Sequence, residues 1–215
     1  TNVPRRRRWS LALAPAAGFE RVRRRASYRV VAPQLAWGAR GRAVRALEAR
    51  LAALHYALAR VDERYGRDTV DAVLAFQKVN GLARTGRASA AVWARLARAS
   101  VPRALDPRGT HLEVSKRRQV LYEVVAGAVA RIVHVSTGAT GNTPVGRWRV
   151  YRLGPGTNAL GMYYSLYFLR GFAIHGYPSV PPYPASHGCV RTPMWFARGF
   201  YARWGRLGTR VAVFP

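Results

Sequence analysis

The spacing of apolar residues changes character near residue 100, and this change limits the fold more than any other feature of the chain. Before it, Val44, Leu47, Leu51, Leu54 and Leu58 recur at intervals of three and four, which places them on one face of a helix. Val70, Val73 and Leu74 through Val79 suggest a second helix, with Thr69 near its start and Gly81 as a stop just past its end. Ser89 is positioned to cap a third that contains Val92, Trp93 and Leu96, and three short helices leave a thin core. From Thr110 onward the pattern is one of short β-branched runs: Leu112 to Val114, Gln119 to Val125, Ala128 to Val135, Arg147 to Leu153 and Arg210 to Phe214. Gly138 to Gly146 and Gly154 to Gly156 separate these runs, the texture of an antiparallel sheet with turns. With Pro102 and Pro107 in the connector, the boundary falls between residues 98 and 110. The expected class is α+β multidomain: a tail over 1–32, a three-helix module over 33–100 and a mainly β domain over 106–215.

Arginine interrupts every candidate apolar stretch, so no run is long enough to cross a bilayer as a helix. The net charge of +27 is almost wholly arginine, Lys78 and Lys116 being the only lysines. Such a charge attracts polyanions. Sequence-specific nucleic-acid binding is not expected, because no zinc-finger spacing, RNA-recognition aromatic motif or basic region before heptads is present. Residues 1–32 hold nine arginines against the single acid Glu20. Arginines ahead of the short Leu11 to Ala17 run resemble the start of a secretion signal, and Phe19 to Val31 alternates loosely, as a strand would.

Chemistry concentrates at Cys189, the only cysteine, which excludes an internal disulfide. It lies in Ser186-His187-Gly188-Cys189-Val190-Arg191, shortly after Ile174-His175-Gly176. A free thiol is a few per cent thiolate at neutral pH, so a nucleophilic cysteine needs a base or a positive neighbour. Either histidine can serve as that base. Gly188 clears space for backbone N–H groups to approach an oxyanion, and Arg191 adds positive potential. Two other readings fit the same residues: a buried small hydrophobe beside ordinary histidines, or zinc held by His175, His187 and Cys189. Zinc is disfavoured because no carboxylate follows His134 to support the ligands. His111 and His134 read as ordinary strand histidines.

The window from His175-Gly176 to Ser186–Arg191 resembles the signature of the L,D-transpeptidase catalytic domain. Ser136-Thr137-Gly138 and Thr143-Pro144-Val145-Gly146-Arg147-Trp148 match that family's upstream elements, in order. The resemblance covers residues 110–215 and implies a β-rich fold with the thiol facing a cleft. It also implies Cys189 as nucleophile, His175 as base oriented by the Gly176 carbonyl, and His187 and Gly188 at the oxyanion. Gly176, Ser186, Arg191, Tyr163 and Tyr164 would meet substrate, with Phe172 beside the tyrosines, and no cofactor or metal is required. The implied reaction releases D-alanine from a tetrapeptide stem and forms a 3→3 cross-link; an L,D-carboxypeptidase or a non-catalytic wall-binding protein are the rivals.

Residues 33–100 resemble the three-helix peptidoglycan-binding domain, through Gly38, Gly41, Val44, Leu47, Leu51, Leu54 and Tyr56, then Asp62, Tyr65-Gly66, Thr69, Ala72-Val73, Phe76-Gln77, Gly81-Leu82 and Gly86. His55 and Glu63 stand where that family has glycine, so any departure falls on turn geometry. The expected partners are peptidoglycan stem peptides and glycan strands, with anionic wall polymers drawn by the arginines. The expected setting is extracytoplasmic, in cell wall or periplasm, as a monomer.

Overall fold

The computed structural model describes residues 7–10, 25–28 and 32–215. Strands β1 (Arg7–Ser10) and β2 (Arg25–Tyr28) pair antiparallel, with Arg7 opposite Tyr28. This is the described part of the strand expected over Phe19 to Val31; the Leu11 to Ala17 run lies outside the described residues. Residues 34–215 form one compact unit.

Three helices open that unit: α1 (Arg42–Ala53), α2 (Arg67–Val79) and α3 (Ala90–Leu96). The face read from sequence is the buried one, with Val44, Leu47 and Leu51 fully enclosed. Glu48 is buried on the same helix, a position that is tolerated because its carboxylate accepts from the Asp62 and Glu63 amides and from Thr69 Oγ1. Ser89 occupies the N-cap of α3 but makes no side-chain capping bond, contrary to expectation. His55 and Glu63 both adopt φ 67, the left-handed conformation that favours glycine, so the turns keep their geometry despite the substitutions.

The thin core is completed by the second half of the chain. Strands β3 (His111–Ser115), β4 (Val120–Val125) and β5 (Ala128–His134) form a meander, and Val120, Tyr122, Val124 and Ile132 join the helical core. Leu121 and Val133 point to the opposite core with Leu112 and Val114. β4 is therefore covered on both faces, which is why it reads as a nearly unbroken apolar run.

Two sheets build this half. One has the order β5-β4-β3-β11-β6, with β6 at Gly146–Arg149 and β11 at Arg210–Phe214; the other has the order β10-β9-β8-β7, with β7 at Arg152–Thr157, β8 at Tyr163–Leu169, β9 at Phe172–Tyr177 and β10 at Val190–Pro193. The expectation of an antiparallel sheet is corrected on two points: β11 runs parallel to β3, and β10 parallel to β9. Arg147 to Leu153 is not one strand but the end of β6 and the start of β7, in different sheets. Gly154 to Gly156 lies inside β7, where a register shift absorbs it. Helix α4 (Met194–Trp204) brings Phe196 and Phe200 onto Leu166, Ile174 and Val190, filling the core behind β9 and β10.

The helical module is joined to the β half by polar links as well as packing. Lys78, 3% exposed, donates to the carbonyls of Gln119 and Val135 at 2.9 Å each and meets His134 Nδ1 at 2.5 Å. Trp195 Nε1 donates to Asp71 on α2, and the Arg84 guanidinium donates to the carbonyls of Pro182 and Arg117.

Candidate active site

The parallel pairing of β9 with β10 sets Arg191 beside His175 and Val190 beside Ile174. Side chains alternate along a strand. Ile174 and Val190 point to the α4 core, so Ala173, His175 and Tyr177 share the other face with Cys189 and Arg191. Cys189 packs against Met162, Tyr167 and Ala173, and its thiol approaches the Gly171 carbonyl at 3.6 Å. Tyr177 meets the His175 ring edge-on at 5.7 Å and lies under the Arg191 guanidinium at 4.3 Å.

The turn that presents the thiol is held by its own hydroxyl and by the two upstream motifs. Ser186 Oγ accepts from the Gly188 amide and donates to the Cys189 carbonyl at 2.6 Å. Ser136 exchanges backbone bonds with Arg191, and the Ala139 amide donates to the Ser186 carbonyl. Thr143 Oγ1 accepts from the Gly138 amide and donates to the Gly188 carbonyl, both at 2.8 Å, while Asn142 Nδ2 donates to the His187 carbonyl. At φ 136 Gly188 has a glycine conformation, and a Cβ there would lie 2.3 Å from the Phe172 ring. Three separated motifs thus converge on one turn.

Electrostatics leaves the Cys189 thiol and the His175 imidazole neutral. Burial pushes the Cys189 thiol up, against smaller downward pulls from the Ala173 backbone and Arg191. Burial pulls His175 down to about 4, with the Gly176 bond opposing and Arg191 adding to the fall. His175 Nδ1 lies 2.9 Å from the Gly176 carbonyl, which can only accept, so the proton sits on Nδ1. Nε2 makes no hydrogen bond among the described residues and keeps a lone pair for a proton.

The structure brings Cys189, His175 and Arg191 onto one face, with Ser186 and Gly188 shaping the turn. It places the others elsewhere. His187 is exposed and engages the turn through its carbonyl. Gly176 faces α4, where a Cβ would lie 2.6 Å from that of Ala197. Tyr163 stacks edge-on with Tyr164, which packs on Tyr201 of α4. Met162, Tyr167 and Tyr177 lie on the thiol's side. Only Tyr177 had a signal in the sequence, two residues beyond His175 on a strand. No group of three or more His, Cys, Asp or Glu side chains among the described residues is placed to hold a metal ion.

Comparison with known proteins bears on the same residues. The family model for the L,D-transpeptidase catalytic domain matches residues 109–213, and that for a putative peptidoglycan-binding domain matches residues 40–96. A solved L,D-transpeptidase from Xylanimonas cellulosilytica is 34% identical, with a TM-score of 0.80 over 86% of this chain and 100% of that one. An L,D-transpeptidase from Stackebrandtia nassauensis is 22% identical, with a TM-score of 0.49 over 84% of this chain and 95% of that one. No curated protein matches the sequence.

Proposed function

Because the chain belongs to the L,D-transpeptidase family, we propose that it exchanges amide bonds in the stem peptides of peptidoglycan through a thioester at Cys189. The observation that carries this reading is the shared face of β9 and β10, where the thiol and a histidine with one committed nitrogen stand together. His175 Nε2 takes the thiol proton as Sγ attacks the carbonyl between the third stem residue and its terminal D-alanine. The same proton then goes to the departing D-alanine amine, leaving the acyl group on sulfur. With the Gly188 amide held by Ser186, the oxyanion falls to the amides of His187 and Cys189. Losing one such donor typically costs about a hundredfold in rate. An amine on a second stem attacks the thioester and yields a 3→3 cross-link.

A neutral resting pair suits this order of events. A half-buried thiol raised in pKa resists stray alkylation and oxidation, and is activated only when the base and an acyl substrate are both in place. The helical module, matched as a putative peptidoglycan-binding domain, supports a wall-associated, extracytoplasmic setting, and the arginine surplus supports attraction to anionic wall polymers.

Product analysis with a disaccharide-tetrapeptide tests the reaction. Cross-linked dimer with released D-alanine is expected. Tripeptide alone would replace the transpeptidase with a carboxypeptidase, and unchanged substrate with folded protein would leave a wall-binding protein.

A further inference from the structure

A groove of about 390 Å³ lies where the helical module meets the β half, lined by Trp37, Arg67, Asp71, Tyr177, Val180 and Trp195. Its volume falls within the range of small-ligand sites, about 300–1,000 Å³. On the module side Trp37 presents its indole with 66% of its surface exposed, an unusual position for so large an apolar side chain. On the β side Trp195 is fixed by its bond to the buried Asp71 carboxylate, 2.9 Å away. At the far end stands Tyr177, whose ring touches both His175 and Arg191. Through Tyr177 the groove borders His175 and Arg191, which share the thiol's face.

Its chemistry differs from the rest of the surface. In a chain of net charge +27, the lining holds one guanidinium and one carboxylate, Arg67 and Asp71, 3.9 Å apart and offsetting each other. A polyanion is better served by the separate cavity where Arg108, Arg147, Arg149 and Arg210 gather around Asp106. Aromatic platforms with a few directional polar groups and no net charge suit a neutral polymer that has both apolar faces and hydroxyls. We propose that this groove binds the glycan strand, N-acetylated hexosamines stacking on Trp37 and Trp195, so that the attached stem enters past Tyr177 to Cys189. The proposal rests on the peptidoglycan reading above. It makes the joint between module and catalytic half a substrate site, with each half contributing one indole.

The test uses an oligomer of N-acetylglucosamine, which carries no stem and cannot be turned over, so its binding is independent of thioester chemistry. Titration of the full chain followed by tryptophan fluorescence is expected to saturate. Trp37→Ala, an exposed position whose loss leaves the fold intact, is expected to weaken binding about three- to tenfold. Trp195→Phe keeps a ring but drops the bond to Asp71, and a smaller loss is expected. Unsaturable binding, equal affinity of Trp37→Ala and parent, or a sugar-free stem peptide that occupies the groove instead would overturn the proposal. If the thioester adduct still forms in that case, the transpeptidase reading stands without the glycan site.

Discussion

Two buried histidines, His134 and His175, sit on neighbouring sheets, and burial lowers the pKa of both. They differ in what their ring nitrogens do. His134 Nε2–H donates to the Val180 carbonyl, so Nδ1 is left to accept from Lys78. Both nitrogens are committed, and the imidazole works as a rivet between the helical module, β5 and the loop leading to Ser186. His175 commits only Nδ1. Burial alone does not mark a base; in the proposed mechanism it is the unspent nitrogen that suits His175 to the role.

Lys78 sharpens the contrast. Burial pulls its pKa down to about 6, with Arg84 pushing the same way and Asp71 opposing, and three acceptors surround its Nζ. Its worth is positional, since the Gln119 whose carbonyl it holds also clasps Thr137 through its side-chain amide. Thr137 in turn accepts from the Ser186 amide.

The largest expected effect separates the two clusters directly. His175→Ala should slow thioester formation about 10²–10⁴-fold with a small change in thermal midpoint. Lys78→Met should do the reverse, losing about 3 kcal/mol or more because buried acceptors lose their donor, as measured by denaturant unfolding. A Lys78→Met chain as stable as the parent would show the rivet to be dispensable. Gly188→Ala should combine both losses, since the added Cβ meets Phe172; about 1–3 kcal/mol of stability is at stake, together with most of the acylation rate.

The pH dependence is a finer probe. In the proposed mechanism His175 is the base while Nε2 is unprotonated, so the acylation rate should hold from neutral pH downward and fall as pH drops through about 4. A fall centred near the ordinary value of 6.5 would mean that the working imidazole is not buried. The smallest effect is expected for Arg191→Met. Its charge lowers His175, so its removal should move the acid limb slightly upward while the thiol rises further.

The helical face, the β runs on both sides of the first turns and the residues of the thiol turn were all legible, because each shows as local periodicity or as a compact motif. What escaped was decided by distant contacts. Nothing near Lys78 announces that it crosses into the β half, and nothing near Asp71 announces Trp195. Strand β8 shows no period of two, because Tyr163 to Leu169 is apolar or aromatic at every position but Ser165. His55 and Glu63 show the opposite case, a substitution visible in sequence whose turn the surrounding bonds preserve.

The most direct test of a thiol activated by a half-committed histidine is intact-protein mass spectrometry after incubation with a disaccharide-tetrapeptide, run on the parent chain, Cys189→Ala and His175→Ala. The account predicts an acyl adduct on the parent, none on Cys189→Ala, and slow accumulation on His175→Ala. An adduct that persists without the thiol, or one that forms at the parent rate without His175, would contradict it.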